Sequence, residues 1–239
     1  MNARLTSSWE KFACRDGFQM PCWFVRPSGH TGALPAVLFV YEPFGVNIEM
    51  QRVASDVAQA GYAVMIPDLM RRGSFFSCIR RLMADLRRGQ GRGIDDLLDA
   101  RTALAMRAGV IENRIAVLGL CMGGGFALIL AKTGLFRVSA PFYGQAPSSM
   151  AGACPIIASY GARDKVTAGD AARLAQSLKE SATPHDFKLY PDAGHSFMTR
   201  PPNWLAGTLG PLLPGHAGFV PAAAADATKR LILFFREHL

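Results

Sequence analysis

Short apolar runs bounded by Gly, Pro or charge recur along the chain, at residues 36–41 (AVLFVY), 62–66 (YAVMI), 115–119 (IAVLG), 138–142 (VSAPF), 156–161 (IIASYG) and 187–190 (FKLY). Runs this short and this uniformly apolar fit strands buried on both faces. Between them, residues 48–60, 94–108, 122–131, 168–181 and 223–238 are compatible with helices, the last being Ala-rich and then amphipathic through Leu231, Leu233 and Phe234. Alternation of strand and helix predicts an α/β fold with a mostly parallel sheet and helices on both faces. Parallel neighbours need a crossover, and the crossover helix packs back on the sheet. Residues 12–14 and 22–25, on either side of a turn at Asp16-Gly17, predict an antiparallel start. In such open sheets the chemistry lies beyond the carboxyl ends of the strands, so reactive residues just after a strand carry the signal.

Composition narrows the class. The 239 residues, 50% hydrophobic, can bury one sizeable core, and a single domain over 1–239 is expected. No stretch approaches the roughly 18 uninterrupted apolar residues of a membrane span, and no long apolar run follows a basic start, so a cytoplasmic protein is expected. Five cysteines without a C-x-x-C pair indicate neither a disulfide framework nor a thiolate zinc site. The net charge of +8 is concentrated in Arg71, Arg72, Arg80, Arg81, Arg87, Arg88 and Arg92. The plain reading is a solvated amphipathic helix, with Arg pairs outward and Ile79, Leu82, Met83 and Leu86 packed inward. An Arg-rich module binding nucleic acid or acidic protein is the rival, and it lacks stacking aromatics beyond Phe75 and Phe76.

The strongest motif follows residues 115–119. Gly119-Leu120-Cys121-Met122-Gly123-Gly124-Gly125 runs directly into the helical FALILAK. This is the nucleophile-elbow pattern with Cys in place of Ser: small residues at 119 and 123 permit a sharp strand-to-helix turn that lifts Cys121 above the sheet. The helix N-terminus there favours thiolate and offers the Met122 N–H to an oxyanion. A tight turn into a helix around an inert Cys would give the same spacing. Two further signals weigh against that: Asp164 follows residues 156–161 and His195 follows residues 187–190. Nucleophile, acid, histidine, each just past its own strand, is the order this catalytic architecture uses. His195 would move protons and Asp164 would hold the imidazole tautomer. Asp192 is too close in sequence to His195 to be its orienting acid, and Asp68 precedes the elbow. Cys14, Cys22, Cys78 and Cys154 have no elbow context and read as packing residues.

At these positions the chain resembles the dienelactone hydrolase family. The likeness is carried by Glu42-Pro-Phe-Gly45-Val-Asn47, Pro67-Asp68-Leu69, Gly119-Leu-Cys121-Met-Gly-Gly124, Asp164 and Gly194-His195-Ser196-Phe197, in order along nearly the whole chain. The resemblance implies an α/β-hydrolase fold, a Cys121/His195/Asp164 triad, and a role for Glu42 in forming the thiolate when substrate arrives. From its own position, Glu42 is an acid that burial would make costly without partners, so a purely structural role stays open. The residue after this Glu normally offers an N–H to the oxyanion. Here it is Pro43, which has none, leaving Phe44 or Gly45 to substitute. The resemblance also implies substrate contacts from Arg72, Ser196 and Arg200, with Arg suited to bidentate carboxylate binding.

The expectation is therefore hydrolysis of a small lactone or ester, with a general carboxylesterase or thioesterase as the nearer alternative. The substrate is a small molecule, an anionic one being what the arginines would suit. No cofactor, metal, nucleic-acid or membrane partner is implied, and the protein is expected as a monomer or small homo-oligomer.

Overall fold

A computed structural model describes residues 3–201, 208–212 and 214–239. Its strands are β1 (Leu5–Ala13), β2 (Gln19–Pro27), β3 (Leu34–Val40), β4 (Ala63–Pro67), β5 (Val110–Leu120), β6 (Val138–Phe142), β7 (Ile156–Gly161) and β8 (His185–Tyr190). The helices that lie wholly within the described residues are α1 (Ile48–Gln59), α2 (Phe75–Arg88), α3 (Arg92–Ala105), α4 (Met122–Leu130), α5 (Ala168–Glu180) and, at the carboxyl end, α6 (Pro221–His238). All eight strands form one sheet in the order β1-β2-β4-β3-β5-β6-β7-β8. β1 and β2 pair antiparallel, β2 runs antiparallel to β4, and every pairing from β4 to β8 is parallel.

The central strands are buried because helices cover both faces. Ala36 through Val40 and Ile115 through Leu120 are at most 1% exposed among their apolar side chains, which is why these segments read as unbroken apolar runs. The helices begin where the sequence supplies caps. Asn47 accepts from the Glu49 and Met50 N–H groups at the start of α1, and Ser74 accepts from Ser77 N–H at the start of α2. Each parallel strand thus delivers its following loop to one end of the sheet, where the chemistry gathers.

Two regions depart from the sequence expectation. β1 is longer than residues 12–14 indicate, because Thr6 through Trp9 are exposed on this edge strand and carry no apolar alternation. They are held instead by their register with β2, from Leu5 opposite Pro27 to Ala13 opposite Gln19. The 71–92 segment is not one helix. Leu69–Arg72 forms a 3₁₀ turn, α2 follows, and left-handed Gly89 ends it before Arg92 opens α3. On α2, Leu82 and Leu86 pack inward as expected, with Ile79 and Met83 half-buried. Arg80, Arg87 and Arg88 face solvent, but Arg81 is half-buried, with Nη2 on the Leu69 carbonyl at 3.4 Å and Nε enclosed.

Candidate active site

Cys121 stands between β5 and α4 with φ 55° and ψ −117°, a conformation that costs a non-Gly residue energy and is held by its surroundings. A Cβ at Gly119 would meet the Gly123 carbonyl oxygen at 2.0 Å, and one at Gly123 would meet the Val40 carbonyl oxygen at 2.0 Å. Both glycines are thus demanded by space: the helix backbone lies directly on the strands, and Cys121 N–H is fixed to the Phe142 carbonyl at 3.0 Å. The side chain is left partly exposed at the carboxyl edge of the sheet.

His195 lies across it. Its Nε2 is 3.0 Å from Cys121 Sγ and its Nδ1 is 2.7 Å from Asp164 Oδ2. The loop carrying His195 is clamped by its own backbone, with His195 N–H on the Gly215 carbonyl at 2.6 Å and Gly218 N–H on the His195 carbonyl at 3.1 Å. Burial opposes charge on the imidazole, but the hydrogen bonds to Asp164 and Cys121 outweigh it and push its pKa up to about 10. Asp164 is wholly enclosed and accepts from Val166 N–H (2.9 Å), Thr167 N–H (3.3 Å) and the Thr167 hydroxyl (2.5 Å). Burial raises its pKa, and the bonds from His195 and Thr167 more than reverse that, leaving it below its ordinary value.

Glu42, just past β3, is 7% exposed. Its carboxyl accepts from the Tyr143 hydroxyl at 3.0 Å and from the Thr199 hydroxyl at 3.2 Å to both oxygens. Desolvation raises its pKa despite these donors and the attraction of His195. Tyr143 and Thr199 were not singled out by sequence. Tyr143 is fully buried at φ 39°, with its ring centroid 5.0 Å from that of His195, and it joins the imidazole to the Glu42 carboxyl. Burial, then Glu42 and Cys121, hold its phenol well above the ordinary range, so it stays a donor.

Two backbone donors are left without an acceptor among the described residues. Met122 is the first residue of α4, so its N–H has no intrahelical acceptor. In the loop after β3, Gly45 N–H folds back on the Glu42 carbonyl at 3.3 Å, whereas Phe44 N–H has no acceptor among the described residues.

The residues expected to anchor substrate fare differently. Arg72 donates from Nε and Nη2 to Asp96 (2.7 Å each) and from Nη1 and Nη2 to Asp16 (2.7 and 3.0 Å), and its guanidinium lies 4.3 Å from the Phe18 ring centroid. Its side chain is 9% exposed and that of Asp96 is 1%. Withdrawing one partner from a buried pair costs about 3–5 kcal/mol, more than the about 1.5–3 kcal/mol of a new charged hydrogen bond. Arg72, expected to hold a substrate carboxylate, is thus already committed to two carboxylates of the fold. Arg200 donates to Glu49 from its backbone N–H (3.0 Å) and Nη1 (3.2 Å) and stacks over Phe219. Ser196, at φ 56° beside His195, lies close enough to Glu42 to lower its pKa. Cys14, Asp96 and Asp99 place donor atoms within 4.8 Å of one another, but Arg72 and Arg15 already take the two carboxylates, and burial pushes the Cys14 thiol up to about 11. That set does not suit a metal ion.

A parallel sheet flanked by helices, with a nucleophile elbow after β5, an acid after β7 and a histidine after β8, defines an α/β-hydrolase. Solved structures bear out that fold. A dienelactone hydrolase-like promiscuous phosphotriesterase from metagenomic libraries superposes with a TM-score of 0.82 at 23% identity, covering 98% of each chain. A Rhizomucor miehei fungal esterase does so with a TM-score of 0.72 at 13% identity, over 100% of this chain and 85% of the other. Residues 20–239 match the dienelactone hydrolase family, and the chain belongs to it. A carboxymethylenebutenolidase of Rhodococcus opacus is 28% identical over 235 residues, spanning 92% of this chain and 87% of that protein. The enzyme is accordingly a lactone or ester hydrolase. No helix among the described residues is long and apolar enough to cross a membrane.

Proposed function

We propose that the chain hydrolyses a small lactone or ester by acyl transfer through Cys121. The observation that carries this reading is His195 bridging Cys121 Sγ at 3.0 Å and Asp164 at 2.7 Å. The Cys121 thiolate attacks the carbonyl carbon, and the oxyanion is received by the Met122 and Phe44 N–H groups. As the tetrahedral adduct collapses, the alkoxide leaves with the proton that His195 supplies, and an acyl-thioester remains. His195, now neutral, takes a proton from water as it attacks the thioester, and the sulfur departs with the imidazolium restored. Asp164 fixes the Nδ1–H tautomer and stabilises the imidazolium. Glu42 lies close enough to couple with the imidazole charge. Its resting bonds run to hydroxyls, so its part here is electrostatic support for His195, alongside the thiolate-forming role that the family resemblance implies.

The test is a panel of p-nitrophenyl esters of increasing acyl length with a cis/trans dienelactone pair, run on the wild type and Cys121→Ala. Turnover by the wild type and none above background in a folded Cys121→Ala protein is the expected result. Wild-type turnover in that variant would remove the thiol from the mechanism. Cys121→Ser is expected to be poor as well, because a hydroxyl needs stronger base assistance than a thiol.

A further inference from the structure

The loops around the site distribute charge and apolar surface unevenly. Arg72 is tied to residues outside the Cys121, His195 and Asp164 cluster: its partner Asp16 lies in the β1–β2 turn, and in the sheet β2 sits on the opposite side of β4 from β3 and β5. Its other partner, Asp96, is on α3. Both faces of the guanidinium fork are used, and Phe18 covers its plane. Arg200 is 54% exposed and shares Glu49 with Arg52, so exchanging Glu49 for a substrate carboxylate swaps one solvated pair for another with little net gain. Arg71 is paired with Asp68. Arg163 and Lys165 stand exposed on the loop that carries Asp164, where attraction of an anion is screened by salt. The loop after β3 and the first turn of α2 instead present aromatic surface, with Phe44 70%, Phe75 46% and Phe76 82% exposed, the last two as an edge-on pair at 5.6 Å.

We infer that the site takes an uncharged ester or lactone with an apolar acyl or alcohol part, and that Arg72 is a structural tie and not a carboxylate anchor. This rests on the hydrolase reading above and adds the substrate class. A free carboxylate brought to this mouth would lose water without meeting a dedicated cation, whereas an apolar group covers exposed aromatic surface.

The experiment compares p-nitrophenyl butyrate with the mono-p-nitrophenyl ester of glutaric acid, which are matched in reacting group and differ by a terminal carboxylate. In the wild type, kcat/KM is expected to be higher for the neutral ester by about tenfold or more. Arg72→Ala is expected to lower both by a common factor, with a lower Tm. Equal or faster turnover of the carboxylated ester, or a KM rise in Arg72→Ala confined to it, overturns the inference. If neither ester is turned over, the hydrolase reading fails, and alkylation of Cys121 decides the inference by itself. The rates for iodoacetate and iodoacetamide are followed by mass spectrometry in wild type and Arg72→Ala. An unchanged ratio supports the inference, and a selective loss of the iodoacetate rate in the variant overturns it.

Discussion

Asp164 and Glu42 are both shut away from water, at 0% and 7% exposure, and both act on His195, yet burial wins over one and loses to the other. Asp164 receives two backbone N–H groups, a hydroxyl and the imidazole N–H, and its pKa falls. Glu42 receives hydroxyls alone and its pKa rises. A hydroxyl can turn and accept, so it serves the acid and the carboxylate alike. An N–H fixed by backbone serves only the carboxylate. The β7–α5 loop therefore holds a permanent charge, and the β3–α1 loop holds a group that can change state during turnover.

The largest effect that tests this contrast is Asp164→Asn, expected to lower kcat on the order of ten-thousand-fold by spoiling the imidazole tautomer. With His195→Ala the losses should combine far less than additively, since the groups act as a unit. Steady-state kinetics on the double variant decide it, and fully additive losses would reduce Asp164 to a loop support. Next, Glu42→Gln is expected to cost about ten- to a hundred-fold in kcat/KM. It should also move the basic limb of the pH profile to lower pH, because the imidazolium loses an attracting charge and its pKa of about 10 drops. An unmoved limb would uncouple Glu42 from His195.

Stability should separate the two acids by sign. Asp164, depressed below 3.8, stabilises the fold above that pH, and the contribution is lost as pH falls through its folded value. Glu42, raised above 4.5, opposes folding at neutral pH, and the penalty is relieved as pH falls through its folded value toward 4.5. Glu42→Gln is therefore expected to raise Tm at pH 7 and Asp164→Asn to lower it, each by about 2–4 °C per kcal/mol. Thermal scans that show both variants falling would erase the distinction. The smallest effect belongs to Thr199→Val, which removes a hydroxyl donor worth about 1 kcal/mol from Glu42. It should shift the Glu42→Gln phenotype only slightly, read as Tm in the single and double variants.

The triad residues were legible because each follows an apolar run that is itself a strand, and the topology brings strand ends together. Glu42 was singled out through the family resemblance, in the segment that follows residues 36–41. Tyr143 was hidden because it directly follows the apolar run VSAPF and reads as its continuation, and only its left-handed turn aims the hydroxyl at Glu42. The pairing of Arg72 was hidden because its partners lie 56 and 24 residues away, and charge spacing along a chain does not reveal pairing across it. The length of β1 was hidden because an exposed edge strand has no apolar pattern to show.

The elbow glycines have counterparts beside the other two members of the triad. A Cβ on Gly161, at the end of β7, would meet the Ala193 carbonyl oxygen at 2.4 Å, and one on Gly194 would meet the His216 carbonyl oxygen at 2.0 Å. The loops bearing Cys121, Asp164 and His195 are thus each seated backbone on backbone, with no side chain between them that drift could trim or enlarge. Small adjustments of the reacting geometry are closed to single substitutions, since the least possible change at these glycines is already a collision. The surface after β3 and β4 carries side chains such as Phe44, Phe75 and Phe76, exposed and replaceable one at a time. Descent with modification can therefore rewrite what this hydrolase accepts while the machinery that cuts is handed on unaltered.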